Sequence, residues 1–164
     1  MGKLETLPET VPTKRLILRK PEAEDAGPIF RTYSSDREVT PYLTWQTHKT
    51  VEDAQGFLTY CAAEWTSGTS FPYVIVEQET PDGPIGMIHA RPARHGVTMG
   101  YVLAKKFWGR GYMTEALSAL CELLFTFDDV FRVSAFCDAE NIGSARVMEK
   151  SGMEFEGVLK RYAP

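Results

Sequence analysis

Gly109-Arg110-Gly111 stands between an apolar run, Val97 to Ala104, and a segment of helical period, Tyr112 to Phe127. Glycines at such a junction let the backbone take positive φ and let a ligand come close. The first N–H groups of the helix that follows have no intrahelical partners, and the helix dipole adds partial positive charge at the same end. The resulting chemistry is anion binding, of a phosphate or pyrophosphate. Lys105, Lys106 and Arg110 cluster beside the loop, either as a solvated face or as an attraction for a phosphate. A second group, Asn141 and Ser144, opens a short helical segment. Asn is a preferred helix N-cap, and Ser144 brings a hydroxyl into the first turn.

Two familiar phosphate motifs are excluded. The Walker pattern GxxxxGK[ST] is absent. A dinucleotide fingerprint needs a third small residue three positions after the second glycine, where Thr114 stands. The unit before the loop also reads as an antiparallel meander, whereas that fingerprint needs a βαβ unit.

The elements that must position these residues follow from periodicity. Residues 1–13 read as a flexible N-terminal arm, and residues 14–164 as one domain. Arg15 to Arg19 reads as a strand. Glu22 to Ser34 reads as a helix through Ala26, Ile29, Phe30 and Tyr33, weakened by Pro28. Ser35 to Thr50 is a loop carrying Tyr42, Trp45 and His48, and Val51 to Trp65 is a helix that Gly68 ends. Phe71 to Gln78, Pro84 to Ala90 and Val97 to Ala104 form a strand meander. Tyr112 to Phe127 has one apolar stripe: Met113, Ala116, Leu117, Leu120, Leu124 and Phe127. Phe131 to Cys137, apolar on both faces, reads as a strand near the sheet centre. Asn141 to Ser151 is a helix capped by Gly152, and Met153 to Leu159 begins another strand. The class is α+β, with a mixed, mostly antiparallel sheet flanked by helices.

Composition limits the functions. The 164 residues are 43% hydrophobic and 24% charged, as in ordinary globular domains. No apolar run approaches the roughly 18 residues that span a bilayer, and Met1 to Pro12 lacks a signal-peptide core. A cytoplasmic protein with no membrane partner is expected. The net charge of −4 argues against a nucleic-acid partner. Cys61, Cys121 and Cys137 read as buried free thiols, and His48, His89 and His95 show no metal-ligand spacing, so no metal is expected.

Taken together, these motifs resemble those of the GNAT family, in its RimJ/RimL-type ribosomal-protein N-acetyltransferase branch. The likeness runs from about Thr13 to the C-terminus. Gly100-Tyr101-Val102-Leu103 followed by Phe107-Trp108-Gly109-Arg110-Gly111-Tyr112-Met113-Thr114-Glu115-Ala116 is similar to the acetyl-CoA motif of that branch. Asn141-Ile142-Gly143-Ser144 with Glu149-Lys150-Ser151-Gly152-Met153 resembles its second block, and Pro41-Tyr42-Leu43-Thr44-Trp45 and Arg15-Leu16-Ile17-Leu18-Arg19 its N-terminal signatures.

The resemblance implies a GNAT acyl-CoA N-acyltransferase fold and acetyl-CoA as co-substrate. It implies acetyl transfer to a primary amine, either a protein N-terminal α-amine or a small-molecule amine, by direct attack in a ternary complex. The alternative is a non-catalytic CoA-binding module. Tyr101, Val102 and Leu103 would form the cofactor wall, with backbone groups of Val102 and Leu103 on the pantetheine. Amides from Gly109 through Arg110, Gly111, Tyr112 and Met113 to Thr114 would hold the pyrophosphate. Asn141 would bond the pantetheine or serve only as a cap; Trp108 and Tyr112 could equally anchor the loop. Tyr33, Trp45, His48, His89 and Phe71 are the acceptor-side candidates.

This sequence departs from the family in two places, the proton donor and the end of the chain. Many members carry Tyr four residues beyond the position of Ser144, where Met148 stands here. Ser144 is then the candidate catalytic acid, with a bound water as its rival. No general base stands out among His89, Glu64 and Asp36. Members usually continue past Arg161-Tyr162-Ala163-Pro164 into a final strand, so that strand is expected to be missing here. The resulting open edge suggests a homodimer.

Overall fold

The computed structural model of the chain describes Leu4, residues 6–94 and residues 96–160. His95 and the segment Arg161 to Pro164 lie outside the described residues. Among the described residues six strands form one sheet in the order β1-β2-β3-β4-β5-β6: Thr10–Pro12, Leu16–Arg19, Phe71–Glu77, Gly86–Ala93, Gly96–Leu103 and Val133–Ala135. Neighbours are antiparallel except β5 and β6, which run parallel and are joined through a helix. Residues 71–76 of β3 are buried without alternation, because both faces of the sheet are covered. The α+β class and the mostly antiparallel sheet are as the sequence indicates.

The helices are α1 (Ala26–Ile29), α2 (Val51–Ser67), α3 (Tyr112–Leu124) and α4 (Ile142–Lys150). Pro28 falls in the first turn of α1, where its missing N–H would have had no intrahelical partner. The helix then widens into a π turn over Phe30–Ser34, which carries Tyr33 and Ser34 into the interior, 1% and 0% exposed. Thr50 and Asp53 close a capping box on α2, and Gly68 ends it at φ 69°. In α3 the expected stripe Met113, Ala116, Leu117, Leu120 and Leu124 is buried, but the helix stops before Phe127 as the last turn tightens to three-residue bonds.

Four expectations are corrected. Thr10–Pro12, assigned to the arm, is strand β1, and Pro8 accepts a hydrogen bond from the Tyr73 hydroxyl. The run Phe131 to Cys137 is a strand only over Val133–Ala135, and it lies at the sheet edge with Phe131 and Phe136 exposed. Its apolar pattern suggests a central strand, yet Met153 to Leu159, the segment expected next, is irregular and mostly exposed. Gly157 at φ 147° breaks extended backbone there, and the segment is tethered to β6 by the Arg132–Glu156 ion pair. Of the three cysteines only Cys61 is buried; Cys137 is exposed.

Candidate active site

The parallel pairing of β5 with β6 covers only Val97↔Val133 to Met99↔Ala135, whereas β5 pairs with β4 along its whole length. Beyond Met99 the β6-side edge of β5 has no strand beside it among the described residues, and a notch opens between the two. Which groups face the notch follows from strand alternation. The amide of Val97 bonds the carbonyl of Arg132 on the β6 side at 2.9 Å, and that of Ala104 bonds Ile85 on the β4 side at 2.9 Å. Tyr101 and Leu103 are therefore in phase with Val97 and turn N–H and C=O to the notch. Val102 is in phase with Ala104 and its backbone is tied up in the ladder with β4. Of the residues expected at the cofactor wall, Tyr101 and Leu103 turn backbone groups to the notch, whereas those of Val102 are engaged with β4.

At the open end of the notch lies the glycine loop. Gly109 and Gly111 take φ 73° and 76°, and Gly111 is the left-handed N-cap of α3. A Cβ at Gly109 would meet nothing within 4 Å, so the loop faces open space. Trp108 is half exposed and donates its indole N–H to the Leu103 carbonyl at 2.7 Å, linking loop to notch. Lys105 is paired with Glu38 at 2.6 Å.

Arg15 is a site residue that sequence reasoning missed. Its Nη1 donates to the Arg110 carbonyl at 2.9 Å, its Nε to Glu115 at 2.6 Å, and its guanidinium lies 4.4 Å from the centre of the Tyr112 ring. Glu115 also accepts from Thr13 Oγ1 and from the Arg15 amide. Burial pushes the Glu115 carboxyl up, but these hydrogen bonds and the Arg15 charge outweigh it and hold the group below the usual carboxylate range. The residues lie 100 positions apart, so no local pattern could have shown the pair.

Across the notch stands α4. Asn141 Oδ1 accepts from the Ser144 amide at 3.1 Å, so Asn141 is its N-cap. The Tyr101 hydroxyl lies 2.8 Å from Ser144 Oγ and 3.1 Å from the Ser144 carbonyl. Burial pushes the Tyr101 phenol up to about 12, with Ser144 opposing, so Tyr101 keeps its proton at neutral pH. Met148 is partly buried against the core.

On the other side of β5, Tyr33, Trp45, His48 and His89 line one cavity together with Phe57 and Val102. Phe71 is absent from it; it is buried edge-on against Trp65 in the core. Burial, with help from Arg91, pushes His89 down to about 4. Glu64 and Asp36 also lie elsewhere: Glu64 accepts from Tyr60, and Asp36 caps the Glu38 amide.

The description of the Acetyltransferase (GNAT) domain matches residues 15–154. The chain belongs to the GNAT acetyltransferase family. It is 31% identical over 94% of its length, and 88% of the relative's, to the uncharacterized N-acetyltransferase YnaD of Bacillus subtilis (strain 168). Among solved structures, a GNAT-family acetyltransferase from Bacillus anthracis superposes with a TM-score of 0.82 at 28% identity, covering 94% of this chain and 89% of that one. Mycobacterium smegmatis RimJ in complex with CoA-disulfide gives 0.81 at 26%, covering 99% and 82%. This GNAT protein is thus an N-acetyltransferase. Among the described residues no His, Cys, Asp and Glu cluster is placed to hold a metal, and no helix is long and apolar enough to cross a membrane.

Proposed function

We propose that this enzyme moves the acetyl group of acetyl-CoA to a primary amine, by direct attack in a ternary complex. The observation that carries the reading is the notch: an unpaired strand edge, with positive-φ glycines at one end and Ser144 across from it. An extended amide-bearing arm such as pantetheine pairs with Tyr101 and Leu103 as a strand would. The pyrophosphate then meets the amides from Gly109 to Thr114 at the start of α3. One of the notch-facing N–H groups stabilises the oxyanion as the amine attacks the thioester carbonyl. Ser144 gives the departing thiolate a proton, and Tyr101 resupplies Ser144 by turning its O–H from the Ser144 carbonyl to Oγ.

In this reading the amine nitrogen alone enters the cavity under Val102, which at about 20 Å³ has room for one small group, with Tyr33, Trp45, His48 and His89 around it and the rest of the acceptor outside. The resemblance of the motifs to the RimJ/RimL-type branch favours a protein N-terminal α-amine, and a small-molecule amine is the other acceptor class. The enzyme would act in the cytoplasm, where acetyl-CoA is supplied. A thiol-release screen with acetyl-CoA across N-terminal peptides, polyamines and amino acids tests the proposal. Release with at least one amine is expected. CoA binding by calorimetry without release against any amine would replace it with a CoA-binding module.

A further inference from the structure

An ammonium has no lone pair, so the acceptor must lose a proton before it attacks, and the cavity under Val102 holds the groups that could take it. Among the described residues no carboxylate lines that cavity, and the titratable bases that do are His89 and His48. His89, pushed down to about 4, is too weakly basic to accept from an ammonium.

His48 is held differently. Its Nδ1 lies 3.0 Å from Ser34 Oγ, and its backbone N–H donates to the Ser34 carbonyl at 2.9 Å. Ser34 is fully buried in the π turn, so the partner is fixed in place. The ring lies 5.0 Å from Trp45 and 6.1 Å from Phe57, centre to centre, which limits its rotation. When Nδ1–H donates to Ser34 Oγ, the lone pair is on Nε2. The groups around it are Asp53 from α2, His89 from β4, and Tyr33 and Ser34 from the π turn. Burial lowers the imidazole's proton affinity and Asp53 partly restores it, the net effect being a lowering.

We propose that His48, oriented by Ser34, is the general base that deprotonates the acceptor ammonium. The inference rests on the acetyl-transfer reading and on this cavity being the acceptor site. Nε2 forms an N–H bond with one ammonium proton, and the electron pair of the broken bond stays on the amine nitrogen. That pair attacks the thioester carbonyl, the C–S bond breaks, and the thiolate is protonated from the Ser144 side. The tetrahedral intermediate loses its second surplus N–H proton to water, and water restores the proton that the Ser144–Tyr101 pair gave to the thiolate. The imidazolium returns its proton to water, so the net release is one proton per acetyl transferred.

The test is the pH dependence of thiol release with saturating acetyl-CoA and phenylalaninamide or the peptide Ser-Ala-Ala as acceptor. His48→Gln keeps a polar side chain that cannot titrate. At pH 7, where roughly a tenth of such an α-amine is neutral, its turnover should fall up to about tenfold, with KM for acetyl-CoA unchanged. The deficit should shrink to less than about twofold near pH 9.5, where the amine is already neutral. A deficit equal at both pH values, or no deficit, overturns the proposal. Ser34→Ala offers a second arm if His48→Gln does not fold. Nitrogen NMR should show Nδ1 protonated and Nε2 bare in the wild type, and a tautomer mixture in Ser34→Ala. A wild-type ring protonated on Nε2 also overturns it. Absence of thiol release by the wild type with every amine would instead defeat the acetyl-transfer reading.

Discussion

The closed end of the notch depends on Gly96, and replacing it with alanine is the sharpest test of the architecture. A Cβ there would stand 1.9 Å from the Arg132 carbonyl oxygen, 2.8 Å from its carbon and 3.1 Å from its Cα. All three are backbone atoms, and an ordinary C···O contact is about 3.3 Å, so β5 and β6 must part by roughly 1.4 Å. That movement breaks the Val97–Arg132 hydrogen bond, a loss of about 1 kcal/mol. Alanine at φ 143° adds about 1–3 kcal/mol of backbone strain. The sum, roughly 2–4 kcal/mol, lowers the melting midpoint of a domain this size by about 5–15 °C. Because the parallel pairing has only three residue pairs, CoA affinity should fall about tenfold or more, equivalent to about 1.4 kcal/mol. Gly109→Ala is the control: nothing stands within 4 Å, so only the left-handed penalty of about 1–2 kcal/mol applies. Thermal unfolding followed by circular dichroism, with calorimetry for CoA, reads both. A Gly96→Ala protein as stable as Gly109→Ala would refute the reasoning that the strands meet at this point.

Gly111→Trp should abolish CoA binding by filling the loop beside Arg15; calorimetry with unchanged affinity would remove the glycine loop from the cofactor site. Tyr101→Phe should lower kcat about five- to tenfold, the size of one hydrogen bond, with KM for acetyl-CoA unchanged. Ser144→Ala should lower kcat further, and the double variant should match Ser144→Ala, since the hydroxyls act in series; additive losses would separate them. Arg15→Ala should cost about 1 kcal/mol of stability or less, because its side chain is 42% exposed, but should weaken CoA binding by loosening the Arg110 carbonyl. Glu115 is held below its unfolded value, so its stabilisation is full above about pH 4.3 and is lost as pH falls through the folded value. Glu115→Gln should therefore flatten the acid side of the stability curve, and an unchanged curve would count against the Arg15–Glu115 clamp.

What the sequence made legible were features with local signals. The Gly109-Arg110-Gly111 turn, the apolar stripe of α3 and the Asn141 cap each follow from neighbouring residues, and each is where expected. Features set by distant partners were not legible. Arg15 looked like the start of a strand because Glu115 and the Arg110 carbonyl reach it only through the fold. His48 gains its orientation from Ser34 in a π turn that no periodicity announces. Val102 and Tyr101 differ by one residue, and strand phase alone decides which backbone faces the notch. The run Phe131 to Cys137 misled because its apolar side chains resemble those of a central strand, whereas strand position depends on what lies alongside.

Trp108 has a practical consequence. Its indole N–H is bonded to the Leu103 carbonyl, one of the groups that an arriving pantetheine would contact. A ligand in the notch must compete for that acceptor, so its arrival should change the polarity around the indole. Of the three tryptophans, Trp65 donates to Pro72 beside the core and Trp45 lines the cavity proposed for the acceptor. On that proposal the protein carries separate intrinsic fluorophores for its two substrates and a third as internal reference. Single-tryptophan variants would let donor and acceptor binding be timed independently, without any added label.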